Sequence, residues 1–103
     1  MANQLFIHHV LFYLKNPTNQ EDKKLLLAGL QKLATIECIQ FSNIGTPAAT
    51  DRSVIQTDYT YSWICFFNSP EDEEVYQKHP THDIFRNEYA HLWEKVVIYD
   101  SIG

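Results

Sequence analysis

Three glycines in 103 residues leave no material for a glycine-rich phosphate cradle, and neither a P-loop nor a G-x-S-x-G elbow occurs. The two cysteines, Cys38 and Cys65, lack C-x-x-C spacing, and no cysteine–histidine nucleophile signature is present. Both fall in apolar, strand-like runs, so they are expected to be buried, inert thiols suited to a reducing cytosol. Basic residues are few: eight Lys and Arg stand against thirteen Asp and Glu, for a net charge of -5. Without a basic run there is no surface to track a phosphate backbone, which argues against nucleic acid as a partner. Long hydrophobic runs are also missing. The first, Leu5 to Leu14, is broken by His8 and His9 and stopped by Lys15, so it reads as neither a signal peptide nor a membrane span.

What remains is an ordinary globular balance, 45% hydrophobic and 20% charged, at the commonest length for one domain; residues 1–103 are read as a single, cytoplasmic domain. Leu5 to Leu14 is rich in β-branched and aromatic residues and reads as a strand ending at Asn16-Pro17. Thr18 and Glu21 have capping-box spacing, which opens a helix whose buried stripe is Leu26, Leu30 and Leu33, widened by Leu27. Glu37 to Ile44 reads as a second strand and Asp58 to Phe67 as a third, with a loop at Ala48 to Gln56 between them. Ser69-Pro70-Glu71-Asp72 starts another helix, with Ser69 as N-cap and Pro70 in the first position. Pro80 ends it and begins the next, which runs to about Leu92; Lys95 to Ile102 is the last strand. The acidic run Glu71 to Glu74 is a solvated helix start.

The order is β-α-β-β-α-β with the second helix split in two, the ferredoxin-like α+β arrangement of a four-stranded sheet with helices on one side. The first and third strands carry bulky apolar residues on both faces, while the helices cover only one. The other face would leave residues of the Trp63, Tyr61 or Phe66 class in an exposed patch, which a symmetric homodimer packed sheet against sheet would bury.

The candidate site lies at Tyr76-Gln-Lys-His-Pro-Thr-His82. If a helix starts at Pro80, then His82, Phe85, Tyr89 and Leu92 form one inward stripe, apolar apart from His82 and the Tyr89 phenol. At a helix start the dipole disfavours the imidazolium, so His82 is expected to be the neutral ring a general base requires. Tyr76, one turn before the break, could donate its phenolic hydrogen to a developing oxyanion. An equally physical alternative has His82 and Tyr76 locking the helix corner, with His79 as a cap or surface residue. No metal is expected. His8 and His9 are adjacent on a strand and point to opposite faces, and Pro80 separates His79 from His82 with no carboxylate completing a shell.

Several blocks together resemble the stress-responsive A/B barrel family of dimeric α/β barrels. They are His8-His-Val-Leu-Phe-Tyr-Leu-Lys15, similar to H-x-V-L-F-x-L-K; Tyr76-Gln-Lys-His-Pro-Thr-His82, similar to Y-x-x-H-P-x-H; Phe85; and Trp93-Glu-Lys-Val-Val-Ile-Tyr-Asp100. The resemblance implies a dimeric barrel with a cavity between sheet and helices. Its best understood members are plant polyketide cyclases that close a ring by aldol condensation without a cofactor. It places their catalytic pair at His82 and Tyr76, puts His8 on the cavity side, and sets Tyr61 where those cyclases have a further pocket histidine. Trp63, Phe85 and Tyr89 are the remaining side chains expected around the pocket. The leading expectation is a homodimer that binds a small apolar or aromatic molecule. The rivals are a cofactor-free enzyme, cyclase-like or an oxygen-using monooxygenase, and a stress-protective dimer without ligand.

Overall fold

The computed structural model describes residues 4–103. The elements run β1 (Phe6–Leu14), α1 (Gln20–Leu33), β2 (Phe41–Gly45), β3 (Tyr61–Phe67), α2 (Pro70–Lys78), α3 (Pro80–Tyr89), a 3-10 turn (Ala90–Leu92) and β4 (Trp93–Ile102). The four strands form one antiparallel sheet in the order β2-β3-β1-β4, the ferredoxin-like order expected from the sequence. No helix of the described residues is long and apolar enough to cross a membrane.

Period-two alternation sorts the two central strands. His8, Val10, Phe12 and Leu14 of β1 and Tyr61, Trp63, Cys65 and Phe67 of β3 are buried towards the helices, while their neighbours are only half-buried. Tyr61 and Trp63 are therefore helix-side residues, and the uncovered face belongs to Ile7, His9, Leu11, Ile64 and Phe66, with Phe41 and Tyr99 exposed on the flanking strands. Leu26, Leu30 and Leu33 close the core from α1 as their spacing predicts. Gly29 on the same helix lets α3 come close: a Cβ there would lie 2.8 Å from Tyr89 Cδ2.

Four element starts differ from the sequence reading. Asn19, not Thr18, caps α1, its side chain accepting from the Asp22 N–H at 3.0 Å, because a turn closed by the Asn19 N–H to the Asn16 carbonyl delays the helix. β2 begins at Phe41 rather than Glu37, since the Ile39 N–H bonds back to the Ile36 carbonyl and holds the chain in a turn. β3 begins at Tyr61 rather than Asp58, where pairing with Phe12 of β1 starts, and β4 begins two residues before Lys95, at Trp93, where pairing with Leu14 starts. The split helix is as read. Ser69 caps α2 through the Asp72 N–H, and Pro80 sits in the first turn of α3. His79 is the α3 cap, extended before the proline, its Nδ1 accepting from the Thr81 N–H at 3.1 Å.

Candidate functional site

A cavity of about 210 Å³ lies between the helix-side face of β1, β3 and β4 and the α2–α3 corner. The sequence places aromatic rings on three sides of it: Phe12 and Trp63 from the sheet, Tyr76 from α2, Phe85 from α3 and Trp93 from the start of β4. Phe85 stacks on Trp93 at 5.6 Å and 27°. Arg86, Val96 and Ile98 line the same space and are exposed, so the open side lies between α3 and the edge strand.

His82, Tyr76 and His8 come together here. The Tyr76 ring stands edge-on to both imidazoles, 4.7 Å from His82 and 5.7 Å from His8 between centroids. His82 is 8% exposed, and its Nδ1 is buried with no hydrogen-bond partner. Its pKa is pushed down to about 4, first by burial and then by the neighbouring Arg86 guanidinium. The neutral ring expected from the helix start is thus produced chiefly by desolvation. Arg86 is in turn fixed across the break, donating from Nη2 to Gln77 Oε1 at 2.7 Å and from Nη1 to Asp83 Oδ1 at 3.2 Å.

Tyr76 is 1% exposed, and its hydroxyl accepts from the Trp63 indole N–H at 2.9 Å. Burial raises its pKa above the ordinary phenol value, so the group stays protonated. His8 points to the helix side, and its Nδ1 lies 2.7 Å from Asp100 Oδ1, the residue directly across the β1–β4 ladder. Glu73 Oε2 stands 3.9 Å from the same nitrogen.

Two residues expected around the pocket do not line it. The Tyr61 hydroxyl donates to the Lys23 carbonyl at 3.0 Å and borders a separate surface cleft under the 46–57 loop. The Tyr89 hydroxyl accepts from Lys32 Nζ at 3.1 Å, and the ring fills the space left by Gly29. Conversely, sequence reasoning gave no site role to Arg86, or to Trp93 and Asp100, which entered only as the ends of a family-like block. Asp100 owes its place to strand register, for which one sequence carries no signal. Arg86 follows His82 by four residues, a helical neighbour that the stripe argument passes over because it is charged. Among the described residues, no group of three or more His, Cys, Asp or Glu is placed to hold a metal ion.

The sheet order, the split helix and a cavity between sheet and corner define a ferredoxin-like α+β protein. The family model described as the Stress responsive A/B Barrel Domain matches residues 6–102, and the chain belongs to that family. Among solved structures it is similar to a Dabb family protein with a ferredoxin-like fold from Mesorhizobium loti, at 20% identity and TM-score 0.80, covering 97% of each chain. A hydroxynitrile lyase from Passiflora edulis is similar at 23% identity and TM-score 0.78, covering 99% of this chain and 95% of that one. A dimeric ferredoxin-like protein of unknown function from Thermobifida fusca is similar at 18% identity and TM-score 0.76, with 98% and 92% covered. These likenesses show the fold. No protein among the curated, characterised sequences matches.

Proposed function

We propose that this domain binds a small apolar or aromatic molecule in the cavity between its sheet and the α2–α3 corner. One observation carries the reading: an open cavity of about 210 Å³ with aromatic walls, into which a buried, neutral and unpartnered imidazole is built. An apolar cavity of roughly 150 Å³ is enough to hold benzene, so this one suits a single ring with a small substituent. An unsatisfied buried polar group costs about 1–3 kcal/mol, and His82, which lines the cavity, carries one at Nδ1. The space beside His82 is open rather than filled by Phe85 and Trp63, which favours a binding role over a purely structural corner.

The uncovered sheet face supports homodimerisation, with Ile7, Leu11, Ile64 and Phe66 on one face of β1 and β3 and no helix of the described residues above them. Relatives of the same fold are dimeric, the Thermobifida protein among them. Cys65 is buried and Cys38 only half-buried, and burial raises the pKa of both thiols, which keeps them protonated.

The second reading, cofactor-free proton transfer by His82 assisted by Tyr76, draws support from the neutral ring and from the lyase that shares the fold. A base with a pKa near 4 is weak, which sets this reading behind binding.

Thermal shift against a library of one-ring aromatics, on wild type and His82→Ala, tests the leading reading. Binders should stabilise the wild type more than the variant; ligands that raise both midpoints equally would remove His82 from the site. Deuterium exchange at the acidic C–H of a bound ketone, followed by NMR, tests the second. Exchange that is no faster with wild type than with His82→Gln would end it.

A further inference from the structure

We infer that the uncovered sheet face is an acid-sensitive pairing surface: two copies of this chain pack sheet against sheet while His9 is neutral, and protonating His9 separates them. The inference rests on the homodimer reading above and adds a switch to it.

His9 stands in the middle of that face. Its neighbours across the ladders are Ile64 on β3 and Tyr99 on β4, and Ile7 and Leu11 flank it on its own strand. The residue is half-buried, and its Nε2 lies 2.8 Å from Ser62 Oγ. A hydroxyl can donate or accept, so Ser62 satisfies that nitrogen in either neutral tautomer, yet it brings no negative charge to an imidazolium. In a single chain the His9 pKa is already held below its ordinary value of 6.5, first by burial and then by the His8 imidazole. Covering the face with a second sheet takes more water from the ring and pushes in the same direction.

None of the strand positions beside His9 on this face carries a carboxylate. β3 presents Ser62, Ile64 and Phe66 there, and β4 presents Val97, Tyr99 and Ser101. Lys95, further along β4, is a cation and sits over the Tyr13 ring. Asp100 is on the helix side, bonded to His8. Asp58, which accepts from the Tyr13 hydroxyl at 3.3 Å, and Glu94, in the bulge opposite Tyr13 and Leu14, come to the sheet at its Tyr13 end. Tyr13 is four residues from His9, roughly 13 Å along the strand, which exceeds the screening length of about 8–10 Å. A two-fold axis presents the same patch twice, so the middle of one face meets the middle of the other and the second copy brings no acid to His9 either. An imidazolium there loses its water without gaining a counter-ion, whereas the neutral ring keeps its bond to Ser62.

Sedimentation equilibrium of the wild-type chain at fixed ionic strength should show a dimer whose Kd rises about tenfold or more between pH 7.5 and 5.5, because pairing lowers the pKa of one ring in each copy. His9→Gln keeps a side chain that can bond to Ser62 and carries no charge at any pH, so its dimer should persist with a Kd that does not change over this range. Circular dichroism at each pH separates loss of pairing from loss of fold. A wild type that is monomeric throughout removes the homodimer reading and the switch with it. A dimer whose Kd is unchanged or tighter at pH 5.5 overturns the switch alone. A pH dependence that survives in His9→Gln overturns the role of His9. Nitrogen-15 NMR of the wild-type ring needs no variant: His9 should titrate at lower pH in a concentrated sample than in a dilute one. A ring already charged within an intact dimer at pH 5.5 overturns the proposal.

Discussion

Acidification should strip His82 of its neutral state at a measurable cost in stability. The ring has a folded pKa of about 4 against an ordinary value of 6.5, because charging it means placing an imidazolium in a buried site beside Arg86. A histidine with a depressed folded pKa binds its proton more weakly in the native state than in the unfolded chain. Its contribution is therefore neutral above the unfolded value of 6.5, and destabilisation grows as pH falls from there to about 4, where it levels off. Each pKa unit is worth about 1.4 kcal/mol, so the full loss is on the order of 3 kcal/mol, a large fraction of a typical domain's stability. Urea denaturation of wild type and His82→Gln at intervals from pH 7.5 to 4 isolates this effect, because carboxylates common to both proteins cancel in the difference. The wild type should lose about 3 kcal/mol relative to the variant across that range, with a slope approaching 1.4 kcal/mol per pH unit. Parallel stability curves, or a His82 ring that titrates near 6.5 by NMR, would show that the cavity does not desolvate the imidazole.

Tyr76→Phe leaves the buried Trp63 indole N–H without its 2.9 Å acceptor and should cost about 1–3 kcal/mol in chemical denaturation; a neutral result would mean water replaces the phenol. Gly29→Ala gains helix propensity yet forces Tyr89 back from a 2.8 Å contact, so net destabilisation of about 1–2 kcal/mol is expected by the same assay, and a stabilised variant would show that the ring yields freely. Ile64→Glu puts a charge at the centre of the uncovered sheet face and should turn a dimer into a monomer on size exclusion while leaving the thermal response to cavity ligands intact. A wild type that is monomeric at every concentration would remove the sheet-to-sheet dimer altogether.

The chain's own pattern was enough to establish the order of elements, the split at Pro80 and the inward turn of His82. Each rests on neighbours in sequence: Ser69 bonding to the Asp72 N–H, proline closing one helix and opening another, and His82, Phe85, Tyr89 and Leu92 falling on one face. It was also enough to identify the family, since the residues that carry the likeness are contiguous blocks. The environment of those side chains was not legible in the same way. Asp100 reaches His8 only through a register that joins residues 92 apart, Tyr61 and Tyr89 turn their hydroxyls to Lys23 and Lys32 instead of the cavity, and Trp93 enters it from the first residue of β4. Such contacts depend on how strands pair and how closely helices approach, which long-range packing settles and local periodicity does not encode. The sequence therefore turns His82 inward. The fold surrounds it with aromatic walls, strips its water and leaves its Nδ1 unpaired, and these features, none of them local in sequence, are what support a binding reading of the motif.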